Sequence, residues 1–386
     1  MEETTAGDTL HTPPQPPQIY IPFDIIPETI LCRLPVKSLL RFRCVYNSWN
    51  SLISKDLKFA KKHLRVAYKR QHLITTTWRI AKELNVTSCP FDSLNLYSTF
   101  DSNSTQLDYS PIISTYKEGL IATCDGLLCF VIDNRLAVLY NPSIRKVKKL
   151  PYIDHLPRVQ GLTHYAFGYD PFIDNYKVVA VFCYGRFDHY YKNQVKVHSL
   201  GTDSWRRIKD FPSMFRLDRH GVFVSGTVNW LAGHILNGFY ACTIVSLHLG
   251  DESYREIPLP DLENSSWFTL DVVRDCLCIF FQKSSDSCID IWLMKEYGNK
   301  ESWTILIRLP YFGNSRFFLH TNIVYISEDD NHVLLGSNEI QFNGKSKHKF
   351  KWVIYDLENN TIKSSKIHDN LGLVKSKIYV ESLISL

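Results

Sequence analysis

Cysteine and histidine carry nucleophilic and metal-binding chemistry, and the chain has ten of the first and 14 of the second. Cys276 and Cys278 stand two apart in a strand-like run, so both thiols face one side. Cys124 and Cys129 flank a glycine turn. A structural zinc site needs two such pairs at metal-ligand spacing, and neither pair has a second beside it. The histidines are scattered, with no His-Glu-x-x-His, and there is no Walker loop, no Gly-x-Gly-x-x-Gly and no Gly-x-Ser-x-Gly. The expectation is buried structural thiols, no metal and no cofactor. A catalytic site assembled from distant residues is the competing reading, because a fold alone does not settle function.

The elements that position these residues are bounded by composition. The chain has 386 residues, 45% hydrophobic and 22% charged, ordinary globular material with room for about two domains. Its longest apolar runs are far short of the roughly 20 residues that span a bilayer, so no membrane segment is expected. The start is acidic and proline-rich rather than a signal peptide. Reduced thiols then point to the cytoplasm, the nucleus or both. Net charge is +5, and +6 of it lies between Lys55 and His72 on one helix face (Lys55, Lys58, Lys61, Lys62, Arg65, Lys69, Arg70). The remainder is near neutral, so this reads as a solvated helix face and no nucleic-acid partner is expected.

The texture changes near residue 75. Residues 1–18 read as a disordered lead-in. From Asp24 the apolar spacing is helical. A first helix capped by Asp24 would bury Ile26, Ile30 and Leu34, and Pro35 would end it. A second carries Leu39, Leu40, Phe42 and Val45. A third, capped by Ser48, carries Trp49, Leu52, Ile53 and Leu57, and a fourth carries Ala60, Leu64 and Ala67. So small a unit cannot cover its own apolar stripes, which marks it as a docking module.

Beyond residue 75, short Val, Ile, Tyr, Phe and Trp runs alternate with Gly, Asn, Asp and Pro turns. A repeat emerges: strand, polar turn, then a strand opened by an aromatic residue. Trp205, Tyr254 and Trp303 hold this place at intervals of 49 residues. With two strands upstream, each repeat is a four-stranded propeller blade. Five blades fit between about 115 and 367, and the flanking stretches combine into a sixth that closes the ring. The fold class is thus α+β and multidomain, a small helical module followed by an all-β propeller of about six blades closed by its last strand. The three aromatics read as packing anchors.

Residues 21–64 resemble the F-box of plant F-box proteins. The likeness is carried by Ile21-Pro22-Phe23-Asp24-Ile25-Ile26, by the run from Ile30 to Val45 containing Leu34-Pro35-Val36-Lys37-Ser38-Leu39-Leu40, and by Ser48-Trp49. Tyr46-Asn47 departs from the family pattern of a small residue and a lysine. From about residue 115 the chain resembles the plant F-box-associated interaction domain. Here the carriers are Cys124-Asp125-Gly126-Leu127-Leu128-Cys129, Tyr140-Asn141-Pro142, Phe167-Gly168-Tyr169-Asp170, Gly226-Thr227-Val228-Asn229-Trp230-Leu231 and Tyr379-Val380-Glu381-Ser382-Leu383. Relatives are of the F-box/kelch-repeat and S-locus types, though no Gly-Gly doublet, the kelch hallmark, occurs here.

The resemblance implies a non-catalytic substrate receptor of a Skp–cullin–F-box ubiquitin ligase. Its F-box would dock a Skp-type adaptor, and through it cullin and RING subunits. Its propeller would hold an unidentified protein target for ubiquitination and proteasomal degradation. The expected division is a tail over 1–18, the F-box over 19–64, a linker helix and the start of the closing blade over 65–110, and the propeller over 111–386. The adaptor contacts would be Pro22, Ile25, Ile26, Leu34, Pro35, Leu39, Leu40, Val45 and Trp49. Loops joining second to third strands all leave one face and differ most between repeats. They supply the expected target contacts, Arg186, Phe187, His189, Tyr190, Tyr191, Phe239 and Tyr240, since aromatic and Arg side chains dominate binding energy. The tight turns of the other face read as structural. A propeller enzyme or glycan-binding module with an accessory helical domain is the alternative.

Overall fold

The structure is a computed structural model. It describes residues 25–66, 70–78, 84–92, 95–97, 104–107, 119–133, 135–154, 156, 161–185, 192–212, 216–217, 219–236, 239–261, 267–282, 288–310, 320–342, 346–365, 368–369 and 374–386.

Four α-helices open the described chain: α1 (Ile25–Thr29), α2 (Val36–Phe42), α3 (Asn47–Lys55) and α4 (Leu57–Val66). The expected first helix is cut short. After α1 the backbone tightens into a 3-10 turn, Leu31–Arg33. Three residues per turn instead of 3.6 rotate the inward face, so Leu31 and Cys32 are buried while Ile30 is 39% exposed. The third helix is also shifted. Its N-cap is Tyr46, with no side-chain cap bond, rather than Ser48. It ends before Leu57, which instead opens α4 and is exposed. Asp56 separates the two helices and accepts the Phe59 N–H at 3.0 Å, satisfying one of the open donors of α4. That helix buries Phe59, Ala60 and His63, and Ala67 lies outside the described residues.

The rest is strand. Six antiparallel sheets of four or five strands stand among the described residues, each a blade. Blade 1 runs Leu120–Cys124, Leu127–Asp133, Leu136–Asn141 and Lys146–Lys149. Blade 2 is Gly161–Asp170, Asn175–Tyr184, Lys192–Ser199 and Arg206–Arg207. Blade 3 has two short first strands, Arg216–Leu217 and Val222–Val224, both paired to Thr227–Leu236, followed by Phe239–His248 and Tyr254–Ile257. Blade 4 is Trp267–Val273, Cys276–Gln282, Cys288–Met294 and Trp303–Pro310. Blade 5 is His320–Ile326, His332–Phe342, Ser346–Asp356 and Thr361–Ser364, with His368–Asp369 beside its third strand.

The closing blade takes its first strand, Val374–Val380, from the far end of the sequence. It pairs with Gln71–Trp78, which continues to Leu84–Pro90 and Thr105–Gln106. Tyr379 is buried there, its hydroxyl 2.9 Å from Ser88 Oγ. The expected shared sixth blade is therefore present. First strands of neighbouring blades touch one another at five of the six junctions, the blade 4 to blade 5 junction excepted, which places them at the ring's centre.

Neighbouring blades are tied by the spaced aromatics. Trp205 Nε1 donates to the Pro151 carbonyl at 2.7 Å, the Tyr254 hydroxyl to Lys209 at 2.9 Å, and Trp303 Nε1 to Pro258 at 3.1 Å. Each acceptor lies just past the outer strand of the preceding blade, so these three bonds stitch blade 1 to 2, 2 to 3 and 3 to 4.

Strand alternation defines two faces. First-to-second and third-to-fourth turns lie on one, the turn face; second-to-third hairpins lie on the other, the hairpin face. On the hairpin face the segments expected as loops are partly strand. Leu236 pairs with Phe239 and Ile235 with Tyr240, so Phe239 and Tyr240 stand in a long hairpin rather than a loop. Blade 5 extends likewise, with Phe342 paired to Ser346.

Candidate functional site

The helical module offers an apolar edge around α2 and the turn after it. Pro35, Val45 (67% exposed) and Tyr46 (52%) are open to solvent. Leu40 and Trp49 are half-buried. Trp49 meets Phe42 at 5.9 Å and Tyr46 at 6.3 Å between ring centroids, both edge-on. Ile26 and Leu34 are half-buried against the core. Leu39 is fully buried beside Leu31, Val36, Ile53 and Phe59. It holds the helices together and cannot face a partner, which removes it from the expected docking set. Pro22 and the side chain of Ile25 lie outside the described residues. Tyr46, which sequence reasoning noted only as a departure from a pattern, is part of this exposed edge.

Behind that edge lies a joint that the sequence did not suggest. The core of the helical module is continuous with blades 1 and 2: Leu31, Val36 and Leu39 belong to one apolar cluster with Leu127, Leu139, Phe167, Leu383 and Ile384. Glu381 Oε2 accepts the Val36 N–H at 3.1 Å, and its other oxygen lies 3.6 Å from His72 Nε2. Burial alone would raise the Glu381 carboxyl, but His72, the Val36 amide and the Arg70 charge outweigh it and hold it below the usual carboxylate range. His63 is fully buried and donates from Nε2 to the Leu34 carbonyl at 2.8 Å. Burial lowers this imidazole, against the pull of that hydrogen bond.

Lys61 reaches across to blade 2. It donates to the Tyr169 hydroxyl at 3.0 Å, lies over that ring at 5.0 Å and pairs with Asp174. The basic face of α4 is thus anchored at Lys61 rather than wholly solvated. All these propeller partners sit on the turn face. Its tight turns were expected to be purely structural, yet they carry the F-box-like module.

Among the described residues, the hairpin face is free of that module. Arg186, Phe187, His189, Tyr190 and Tyr191 lie outside the described residues, as do the side chains of Phe239 and Tyr240. Among the described residues of blades 1 and 2 at this end of the ring, Leu162 (53% exposed) and Tyr152 (59%) are open, and Tyr184 stacks on Phe182 at 5.4 Å. Leu162 and Tyr152 were missed because one lies within a strand and the other just past one, rather than in variable loops.

Elsewhere, chemistry-bearing groups are used for structure. Asp170 and Lys177 are buried together, 2.7 Å apart, and the ammonium also donates to the Leu249 carbonyl at 2.6 Å, tying blade 2 to blade 3. Burial pushes the thiols of Cys124, Cys129 and Cys278 well up, leaving them protonated and poorly nucleophilic at neutral pH. Among the described residues no three His, Cys, Asp or Glu side chains group as metal ligands.

A short helical docking module seated on the turn face of a closed six-bladed propeller defines the class: a two-surface recognition protein. Comparison with known proteins names it. An F-box associated beta propeller domain matches residues 79–386, and an F-box domain matches residues 28–61. The chain therefore belongs to the family of F-box proteins with an F-box-associated propeller. It is similar to an F-box/kelch-repeat protein of Arabidopsis thaliana, 33% identical over 299 residues, covering 73% of this chain and 78% of the relative. It is also similar to the F-box protein CPR1 of the same plant, at 26% identity over 94% of this chain and 88% of that one. Among solved structures, an oligogalacturonate lyase aligns over 75% of this chain and 77% of its own, with a TM-score of 0.42 and 11% identity.

Proposed function

We propose that this protein is the target-recognition subunit of a Skp–cullin–F-box ubiquitin ligase, working in the cytoplasm, the nucleus or both. The F-box docks a Skp-type adaptor at the edge formed by Pro35, Leu40, Val45, Tyr46 and Trp49, and cullin and RING subunits follow through the adaptor. The propeller holds a protein target for ubiquitination and proteasomal degradation, and catalysis belongs to other subunits. One observation carries the reading. The F-box occupies the turn face, which leaves the hairpin face, with its long extensions and exposed Leu162 and Tyr152, open at the other end of a closed ring.

Co-purification of the full chain with a recombinant Skp-type adaptor tests it. A stoichiometric complex with no turnover of its own is expected. Failure of the folded chain to bind any plant Skp-type adaptor would overturn the assignment.

A further inference from the structure

The motif Tyr379-Val380-Glu381-Ser382-Leu383 closes the ring only through its first two residues. The remainder turns away from the blade and runs beneath the F-box. Its amide groups are taken up on the propeller side. Asn141 Nδ2 donates to the Ser382 carbonyl at 3.1 Å and to Ile384 at 2.8 Å, and the Ser382 N–H donates to Ser143 Oγ at 3.1 Å. Gly126 leaves the space for it: a Cβ there would stand 2.4 Å from the Ser382 Cβ and 2.5 Å from the Val380 oxygen. Leu383 and Ile384 are buried in the core that holds Leu31, Val36 and Leu39.

On the F-box side the same segment meets the backbone at Val36 directly and at Arg33 and Leu34 through Arg70. Glu381 accepts the Val36 N–H, and its own N–H donates to the Arg70 carbonyl at 3.2 Å. The Arg70 guanidinium in turn donates to the Leu34 carbonyl at 3.1 Å and to that of Arg33. Leu34 and Pro35 are thus fixed from behind through their main chain, which leaves the exposed Pro35 ring in front. Three motifs of the propeller, around Gly126, Asn141 and Glu381, converge on this point.

We propose that the segment Glu381–Leu386 sets the geometry of the Leu34–Pro35 edge for its adaptor, with Glu381 as the positioning residue. The inference rests on the F-box being the adaptor-docking module. Without the segment, the edge must be ordered at the moment of binding, and that ordering weakens affinity.

The test uses the full chain and a purified Skp-type adaptor, well below the melting temperature. Glu381→Ala should weaken the adaptor Kd about tenfold, some 1.4 kcal/mol, in protein whose circular dichroism is unchanged. Glu381→Gln, whose amide oxygen still accepts the Val36 N–H, should restore most of the affinity, which a general loss of stability would not predict. Spin labels at the exposed Lys37 and Lys149 should give a narrow distance distribution that broadens in Glu381→Ala and in a chain stopped after Val380. Wild-type affinity in folded Glu381→Ala, or an unchanged distance distribution, would overturn the proposal. If Glu381→Ala does not fold, Asn141→Ala loosens the same segment from its other side and takes the same measurements. A wild-type chain that binds no adaptor sinks the docking assignment instead, and the label distances still report on the joint.

Discussion

Leu39 and Val45 illustrate how burial separates packing from docking within one short helical stretch. Both are aliphatic and both stood in the expected adaptor-binding set, yet Leu39 is fully buried and Val45 is 67% exposed. Leu39→Ala should therefore destabilise the protein by about 2–5 kcal/mol. Val45→Asp should leave melting nearly unchanged while weakening adaptor binding at least tenfold, as calorimetry against the adaptor would show. The spaced aromatics were legible from sequence because a fixed interval in a repeat places each residue equivalently. Their polar partners were not, since Pro151, Lys209 and Pro258 carry no side-chain signal. Trp303→Phe keeps the ring but orphans the Pro258 carbonyl. It should cost about 1–3 kcal/mol in urea unfolding and leave adaptor affinity untouched; a loss of binding without a loss of stability would reassign Trp303 to a contact surface.

At the scale of elements, the helices were legible in number but not in phase. The i, i+4, i+8 pattern of Ile26, Ile30 and Leu34 looks like one helix, but a 3-10 turn after Ile30 exchanges which residues face inward. The periodic pattern does not show that turn, and the bonds that hold the backbone just after it come from far along the sequence: the Leu34 carbonyl is claimed by His63 and Arg70, and the Val36 amide by Glu381. These partners make the element acid-sensitive. His63 in the folded chain is held below its ordinary 6.5, so the unfolded chain binds a proton first as pH falls. Stability should decline from about pH 6.5 downward, and again below about pH 4.5 as the unfolded chain protonates Glu381 ahead of the folded one. His63→Gln should shrink the first decline, leaving the share of His198, which burial also lowers. Urea melts at stepped pH values measure both, and an unchanged first decline would remove His63 from the joint.

For the whole molecule, the ring and its closure followed from counting repeats, since two half-blades at the ends of a propeller have only each other to pair with. The seating of the F-box did not follow. Two surfaces on one chain can be recognised separately from sequence, but their relation depends on contacts such as Lys61 with Asp174, which join residues 113 positions apart. The proposed adaptor and target faces, at opposite ends of the ring, should be separable by exchange. Grafting the hairpin segments 185–193, 233–241, 283–287 and 337–348 from a relative with a different target should transfer target choice and leave adaptor affinity as it was. Target choice that stays with the parent chain would place recognition on the outer strands or the turn face.

The pairing of Val36 with Glu381 joins residues 345 positions apart, and this has a bearing on synthesis. The F-box leaves the ribosome before a single blade exists, yet its core shares residues with a segment translated after the whole propeller. An unfinished chain would then expose a helical module without its support, and a prematurely terminated one would be a poor competitor for the cell's adaptor pool. Ribosome-stalled chains ending before Val374 should capture adaptor far less well than full-length ones. On the proposed reading, the order of translation favours the complete chain: the docking edge binds best once the ring behind it is finished.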